Sequence, residues 1–231
     1  MLHVVIATGN RHKFEELKGL LNVPGVTWHS LADFPALKPA RETGRTYAAN
    51  AIKKARSIAQ QTGFLALADD SGIEVDALEG KPGIRSARFA GAHGDDAANN
   101  AKLMRLLSGV AYAGRRARYR CALALCRARA VLAVSEGKWE GRIAFAPAGN
   151  SGFGYDPIFY LPGRRKTAGQ ITPALKQRIS HRAAAARRLR ATLRRLAQLS
   201  AKTTVTGVRQ RASRSLLAGP RSAARGRGQG S

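Results

Sequence analysis

The sequence predicts an α/β fold built on a mixed β-sheet, and three observations support this prediction. Short apolar runs rich in β-branched residues alternate with segments of helical periodicity through the first half of the chain. Two adjacent strand-like runs, at residues 117–126 and 130–135, are typical of a hairpin, which adds an antiparallel pair of strands. The 231 residues, 44% of them hydrophobic, can bury the core of one compact domain.

The first half of the chain contains the elements in a regular order. Residues 2–7 form a strand, and a turn at residues 8–10 leads into a helix with apolar side chains at helical spacing. Thr46 can cap a second helix, which Gly63 ends. A short helix is expected at residues 97–107, before the hairpin.

Most of the positive charge lies at the carboxyl end. The formal net charge is +26, but all fourteen Asp and Glu lie at or before Asp156, alongside 22 Lys and Arg, whereas residues 157–231 hold 18 Lys and Arg. A last helix is expected from about residue 181 to 199, and the composition then turns to Arg, Ala, Gly and Ser without apolar periodicity. We therefore predict a folded domain at residues 1–199 and a basic, disordered tail at residues 200–231.

The chain has the features expected of a soluble cytoplasmic protein. Its opening apolar run is too short for a secretory signal, and no later run is long enough to span a membrane. Cys121 and Cys126 fall five apart in one strand-like run, so they are expected on opposite faces, where they cannot readily bond to each other. Two reduced cysteines suit the cytosol.

The turn between the first strand and the first helix is a candidate phosphate-binding segment. Free backbone N–H groups, the helix dipole and a lysine can converge on a phosphate at such a point. The residues of this segment are Thr8, Gly9, Asn10, Arg11, His12 and Lys13. Because the pattern is neither a Walker nor a Rossmann motif, an ordinary turn with a solvated lysine is the simpler interpretation of this segment alone.

An acid-rich segment is a candidate Mg²⁺ site. Residues 64–68 predict a buried strand that stops at the acidic segment, in which five of the fourteen carboxylates fall within eleven residues: Asp69, Asp70, Glu74, Asp76 and Glu79. Such crowding is tolerable when a divalent cation or basic side chains neutralise it, and paired carboxylates usually hold Mg²⁺. The alternative is an exposed acidic turn after the strand, for which Asp-Asp-Ser-Gly is suitable.

Two later segments suit a nucleotide base. Residues 152–157 place two glycines and two aromatic residues in one loop, where an aromatic ring can stack on a base. Ser180 is a plausible N-cap, and His181 and Arg182 can donate hydrogen bonds to a carbonyl on a base edge. Taken alone, a tight turn with a core aromatic residue and a solvated helix start are the simpler interpretations.

Six motif blocks occur along residues 1–199. They are Thr8-Gly9-Asn10…Lys13, Glu42-Thr43-Gly44…Thr46, Ala68-Asp69-Asp70-Ser71-Gly72, Ser86-Ala87-Arg88-Phe89-Ala90-Gly91, Gly152-Phe153-Gly154-Tyr155-Asp156-Pro157 and Ser180-His181-Arg182. In this order the blocks resemble the HAM1-like family of non-canonical purine triphosphate pyrophosphatases. Chance similarity is a poor explanation for six separate blocks.

This resemblance implies a fold and an activity. The fold is an elongated mixed sheet flanked by helices, in two lobes with the nucleotide in the cleft between them, usually in a homodimer. The activity is Mg²⁺-dependent hydrolysis of non-canonical purine nucleoside triphosphates, dITP, ITP and XTP, to the monophosphate and pyrophosphate, which cleanses the nucleotide pool.

The resemblance also implies roles for individual residues. Residues 8–13 and Lys54 hold the phosphates, and Lys176 lies beside the nucleotide. Asp70 is the catalytic acidic group and also meets Mg²⁺, with Glu42 and Asp69. The remaining implied contacts, to sugar and base, are Ser71, Phe153, Gly154, Tyr155, Asp156, His181 and Arg182.

Two positions depart from the family pattern, and three alternative functions stay open. Ala49 stands where the family commonly has Glu, and residues 173–175 replace a typically acidic stretch. The alternatives are a pyrophosphatase of broader or pyrimidine specificity, a nucleotide sensor without catalysis, and a nucleic-acid-binding protein that uses its basic tail. The modest excess charge of residues 1–156, which contain no recognised nucleic-acid-binding motif, argues against the third.

Overall fold

The computed structural model describes residues 1–38 and 40–217, with side chains as far as residue 202. Its strands are Leu2–Ile6 (β1), Val26–His29 (β2), Leu65–Val75 (β3), Arg116–Arg127 (β4), Ala130–Ile143 (β5), Phe159–Leu161 (β6) and Lys166–Thr167 (β7). Its α-helices are Arg11–Leu20 (α1), Tyr47–Thr62 (α2), Asp96–Leu106 (α3), Pro173–Ile179 (α4) and His181–Leu217 (α5).

The described strands form one mixed sheet in the order β2-β1-β3-β4-β5-β6-β7. β1 pairs in parallel with β2 and with β3, and the other neighbouring pairs are antiparallel. β4 and β5 are the predicted hairpin, although β5 continues to Ile143, past its predicted end at residue 135. The predicted α/β class with a mixed sheet flanked by helices is therefore confirmed.

The prediction that the strand stops at Asp69 is wrong. β3 continues through the acidic segment to Val75, because β4 pairs with it along its whole length, from Leu65 to Val75. β1, in contrast, pairs with β3 only as far as Leu67. Asp69 and Asp70 therefore lie in the middle of a strand, just past the point where pairing with β1 ends.

The core consists of three clusters of buried side chains. On one face of the sheet, Val4 and Leu67 pack with side chains of α1 and α5. On the opposite face, Val5 and Ala66 pack with the buried alanines of α2, whose small side chains allow the helix to lie close to the sheet. The third cluster joins the carboxyl end of β3 to α3, β5 and β6, and includes Trp139.

The predicted ends of α2 are confirmed. The Thr46 hydroxyl oxygen accepts a hydrogen bond from the Ala49 N–H at 3.1 Å, which satisfies one unpaired donor of the first turn. Gly63 follows the last turn in the left-handed conformation (φ 72°), which glycine adopts without steric cost. These caps fix the helix that carries Asn50 and Lys54 against β3.

The last helix begins where predicted but ends later. Ser180 precedes it, and its hydroxyl accepts a hydrogen bond from the Ala183 N–H at 3.2 Å. The helix continues to Leu217, through the first part of the segment predicted as a disordered tail, since residues 181–219 contain no proline and Arg and Ala favour helix. Residues 218–231 of that tail lie outside the described residues, and the division into domain and tail stays a prediction.

The two cysteines occupy opposite faces of β4, as predicted. Cys121 is buried with the cluster of α1 and α5, Cys126 is buried with the cluster of α2, and neither forms a disulfide. Among the described residues, none of the helices has the length and apolar character needed to cross a membrane.

Candidate active site

One cleft of about 630 Å³ brings together most of the residues predicted for the site. The predicted residues on its wall are Thr8, Gly9, Asn10, Lys13, Glu42, Lys54, Asp69, Asp70, Ser71, Phe153, Gly154, Tyr155, Asp156, Lys176, His181 and Arg182. Arg11 and His12 are not part of the wall. Arg11 is exposed at the start of α1, and the His12 ring stacks on Phe153 from outside, with centroids 5.5 Å apart.

Asp70 faces α2 and lies in a network with one lysine. Lys54 donates to Asp70 Oδ1 at 2.8 Å and to Glu42 Oε1 at 2.9 Å, so one ammonium group bridges two carboxylates. Asn50 Nδ2 donates to the other Asp70 oxygen at 3.3 Å. Burial raises the pKa of Asp70 above its ordinary value and outweighs the lowering by Lys54. Burial also tends to raise the pKa of Glu42, but the charges and hydrogen bonds of Lys54 and its cationic neighbours together outweigh it and lower that pKa.

The Asp70 and Glu42 pair fits a divalent cation. Both carboxylates bind the same ammonium nitrogen, so they already converge on one positive charge at the cleft wall. Mg²⁺ in enzymes is commonly held by one or two carboxylates together with substrate phosphates and water. Within residues 1–38 and 40–217, no group of three or more His, Cys, Asp or Glu side chains forms a closed metal site. The donor set therefore suits a cation whose remaining ligands come from the substrate.

Asp69 points away from this pair, because side chains alternate along β3. Its Oδ1 accepts from Lys13 Nζ at 2.6 Å and from the Ser71 hydroxyl at 2.9 Å. Its Oδ2 accepts from Arg182 Nε at 3.0 Å and from the Cys121 thiol at 3.1 Å. The predicted contribution of Asp69 to the metal site is not supported by this position: its carboxylate is fully buried and already has cationic partners.

The turn predicted to bind phosphate is connected to β3 through Lys13. The Asn10 side chain caps α1 by accepting from the Lys13 N–H at 3.0 Å, which directs the first turn toward the cleft. The Lys13 ammonium reaches Asp69 while its side chain stays 20% exposed. Nothing lies within 4 Å of the position that a Gly9 Cβ would occupy, so the space beside this glycine is open.

A second cationic network surrounds the Phe153 ring. Lys176 Nζ donates to Asp156 Oδ2 at 2.5 Å and lies 4.6 Å from the centre of the ring. Arg182 lies 5.6 Å from the same centre. Asp156 Oδ2 also accepts from the Phe153 N–H at 2.9 Å, which fixes the loop that carries the ring. One face of an aromatic ring and two cations therefore meet at this end of the cleft.

His181 is buried in an apolar and cationic environment. Its ring stacks on Tyr119 with centroids 4.5 Å apart. Burial, reinforced by the charge of Arg182, holds its pKa well below the ordinary value, so the ring is neutral at pH 7. Among the described residues, Nδ1 of this ring has no hydrogen-bond partner. A neutral ring with one unpaired buried nitrogen at the cleft wall is suited to a polar group of a ligand.

Comparison with known proteins identifies the family. The model of the Ham1 family matches residues 4–192, which include all six motif blocks. The chain belongs to the Ham1 family. It is 47% identical over 195 residues to a dITP/XTP pyrophosphatase of Desulforamulus reducens, a match that covers 84% of this chain and 97% of the relative.

Other Ham1 relatives give the same result. A dITP/XTP pyrophosphatase of Geobacillus kaustophilus is 48% identical over 189 residues, covering 82% of this chain and 93% of the relative. The solved structure of a HAM1 protein from Coxiella burnetii superposes with a TM-score of 0.76 at 40% identity, over 84% of this chain and 98% of that one. The chain thus has the fold of the Ham1 family, and residues 193–231 lie past the match to the family model.

Several residues of this Ham1 site escaped the sequence prediction. Glu16 accepts hydrogen bonds from Arg182 and from Lys176, the latter at 2.9 Å, and so joins the two cations beside Phe153. Arg88 Nη1 donates to Glu42 at 3.4 Å. Glu16 follows Lys13 by three residues on α1, a spacing that places both on one helical face, so its position could have been predicted. Nothing in the local pattern marks Asn50.

We expect the ion pairs of Glu16 to make the free energy of unfolding depend on pH in the acidic range. Burial tends to raise the pKa of Glu16, but Arg182 and Lys176 outweigh it and lower the pKa. A folded-state pKa below the unfolded value, about 4.3, adds stability that is present above that value and is lost as pH falls through the folded pKa. The Glu16→Gln variant is therefore expected to show a shallower fall in melting temperature below about pH 5.

The control for this experiment is Glu79→Gln, because the Glu79 side chain is 88% exposed. Its melting-temperature curve is expected to follow that of the wild type at each pH. Equal slopes for the Glu16→Gln variant and the wild type between about pH 5 and 3 would contradict the prediction.

Proposed function

We propose that this Ham1-family chain hydrolyses non-canonical purine nucleoside triphosphates, dITP, ITP and XTP, to the monophosphate and pyrophosphate, and so cleanses the nucleotide pool. The observation that carries the proposal is the arrangement of Asp70 and Glu42 around Lys54 in the same cleft as the turn at residues 8–13 and the Phe153 ring. Two carboxylates, residues of this turn and an aromatic ring therefore line one cavity, which supports the proposal. The names of the relatives support the substrate class.

In this proposal Asp70 orients the attacking water and accepts its proton. A carboxylate beside Mg²⁺ is weakly basic, so Asp70 orients the water as much as it deprotonates it. Asp70 and Glu42 would hold Mg²⁺, which would supply positive charge to stabilise the departing pyrophosphate. Lys54 and Lys13 add to this stabilisation from the two sides of β3, and such electrostatic terms usually dominate phosphoryl transfer.

The base is proposed to stack on Phe153, with Arg182 and His181 as donors to its O6 oxygen. Inosine and xanthosine carry O6 where adenosine carries an amino group, so adenine would place a donor against a donor. The Lys176 and Arg182 charges beside the ring favour a base with an electron-rich oxygen. Ser71, Gly154, Tyr155 and Asp156 complete the proposed sugar and base contacts.

The decisive test of the activity is incubation with inosine triphosphate and Mg²⁺, followed by separate assays of pyrophosphate and orthophosphate. We expect pyrophosphate as the product, and we expect a chelator of divalent cations to abolish its release. Release of orthophosphate alone would contradict cleavage between the α- and β-phosphates. Binding of inosine triphosphate without any turnover would favour the nucleotide-sensor alternative.

We expect the wild-type protein to prefer inosine over adenosine triphosphate by about 10- to 1000-fold in kcat/KM. One or two mismatched buried hydrogen bonds, at about 1–3 kcal/mol each, account for this range. The measurement compares both substrates at saturating Mg²⁺, with cytidine triphosphate as a further substrate. Equal values for purine and pyrimidine substrates would instead support the broader-specificity alternative.

Three further properties belong to this proposal. The chain is expected to act in the cytoplasm and to form a homodimer, which light scattering after gel filtration can test. In favour of self-association, Tyr112 and Phe145 are exposed by 43% and 61% and lie beside each other. A second, non-catalytic activity is non-specific contact of the basic carboxyl-terminal segment with nucleic acid, favoured by the absence of acidic residues after Asp156.

A further inference from the structure

The exposed side of α5 carries four arginines at regular spacing. Arg187 and Arg188 form one pair, and Arg194 and Arg195 form a second pair seven residues later, which is two helical turns or about 10 Å along the axis. All four are exposed, and we refer to them as the basic face. The opposite side of the helix is buried in the core through side chains such as Leu193. The basic face is therefore held on a firmly packed helix.

The positive charge of the basic face is not neutralised by the protein. None of the ion pairs formed by the described residues includes any of its four arginines. Arg187 donates to the Arg178 carbonyl at 2.9 Å, and Arg188 donates to the Glu136 carbonyl at 2.7 Å, and both of these acceptors are neutral. Four neighbouring cations without an anionic partner repel one another, and an anionic ligand would relieve this repulsion.

The charge continues along the chain beyond the family match. α5 extends to Leu217, and its 37 residues correspond to a length of about 55 Å. The match to the Ham1 family model ends at residue 192. From there to Leu217 the sequence adds Lys202, Arg209, Arg211 and Arg214 to the second pair of the basic face, and no acidic residue. The sequence of the helix therefore adds further basic residues after the basic face.

The composition of this segment indicates which polyanion fits. Residues 181–231 contain no Phe, Tyr or Trp, whereas proteins that bind single strands stack bases on aromatic rings. An amphipathic helix that binds a membrane inserts its apolar side, but the apolar side of α5 is buried in the core as far as Ala197. Duplex nucleic acid, in contrast, exposes a dense linear array of phosphates and keeps its bases stacked inside.

We propose that α5 binds double-stranded nucleic acid through its phosphate backbone, without sequence selection, using the four arginines of the basic face. This inference rests on the nucleic-acid contact proposed above and specifies its surface and its ligand; none of the four arginines lies on the cleft wall. Duplex binding and nucleotide hydrolysis can therefore occur on the same molecule.

The test measures binding of a fluorescent 30-base-pair duplex to the full chain between about 50 and 200 mM salt. The variant replaces all four arginines of the basic face by Gln. The matched control replaces Arg85, Arg116, Arg164 and Arg165 by Gln, four exposed arginines that form none of the ion pairs of the described residues, so the net charge falls equally. Melting temperature and hydrolysis of inosine triphosphate are recorded for every protein as controls for folding.

We expect the basic-face variant to lose at least tenfold in duplex affinity at low salt. Its plot of log affinity against log salt should be shallower by about 3 to 4, since each lost phosphate contact removes roughly 0.9 from the slope. The control variant is expected to keep most of the affinity and the slope. Equal losses in both variants would overturn the proposal, as would tighter binding of a single-stranded oligonucleotide, or binding to phosphatidylserine vesicles and not to the duplex.

Discussion

Replacing Asp70 by Asn is expected to reduce turnover of inosine triphosphate by about 10²- to 10⁴-fold, the usual contribution of a general base. The change preserves the shape of the side chain, so the hydrogen bond from Asn50 and the position of β3 need not change. It removes the negative charge that Lys54 binds at 2.8 Å, and with it both the basicity and one proposed ligand of the cation. The measurement is steady-state turnover at saturating Mg²⁺, together with inosine triphosphate affinity by calorimetry.

The matched control is Asp76→Asn, since Asp76 directly follows the same strand but pairs with Arg118 at 2.7 Å outside the cleft. Its turnover is expected to equal that of the wild type. If the Asp70→Asn protein were folded and kept wild-type turnover, another group would have to be the catalytic carboxylate.

Replacing Arg182 by Met is expected to lower the free energy of unfolding by about 3 kcal/mol. Arg182 is 1% exposed and donates to Asp69, Glu16 and Ser71. Removing one partner of a buried ion pair leaves an uncompensated charge, at a cost of about 3–5 kcal/mol. We expect the lower end of this range of free energies because Lys13 still pairs with Asp69 in the variant. For a chain of this length, we expect the melting temperature to fall by roughly 6–12 °C.

Arg187→Met is the matched control, because Arg187 lies exposed on the same helix. The hydrogen bond described for its side chain goes to a neutral acceptor, the Arg178 carbonyl. Its unfolding free energy is expected to stay within about 0.5 kcal/mol of the wild type. Adding Asp69→Asn to the Arg182→Met protein should recover part of the loss, since it removes the buried charge left behind. A melting temperature unchanged by Arg182→Met would contradict the structural role of this arginine.

The Arg182 result also bears on substrate choice. If Arg182 donates to O6, the Arg182→Met protein that remains folded will discriminate less between inosine and adenosine triphosphate than the wild type does. An equal loss of kcat/KM for both substrates would mean that Arg182 does not recognise the base and acts only in the ion-pair network with Asp69 and Glu16.

The sequence predicted the elements better than it predicted where β3 ends. Asp69-Asp70-Ser71-Gly72 has the composition of a turn, but the continuous pairing of β3 with β4 overrides that local preference. The turn-like composition suggested that Gly72 forms a turn, but it is needed for another reason. A Cβ at this position would lie 2.3 Å from the Gly83 carbonyl oxygen. It therefore permits the close approach of a neighbouring loop, which no local pattern reveals.

The site was predictable as a set of segments but not as a set of contacts. The family resemblance brought Lys54, Asp70 and Arg182 into one site, and the cleft contains all three. The partners of Asp69 and Asp70 depend on which face of β3 each carboxylate occupies. The sequence prediction ended the strand at Asp69, so it could not assign the two carboxylates to opposite faces. The ion pair between Asp69 and Arg182 joins residues far apart in the chain, and only the packing of α5 on the sheet produces it.

The alternation along β3 makes the site sensitive to strand register. Asp69 and Asp70 are consecutive, yet the pKa of one is held well below its ordinary value and that of the other is raised. A shift of β3 by one residue would reverse the faces of all its side chains. Asp70 would then meet the partners of Asp69 near α1 and α5, and Asp69 would face Lys54. An insertion or deletion of a single residue before Asp69 would therefore exchange the environments of the two carboxylates while leaving both in the sequence.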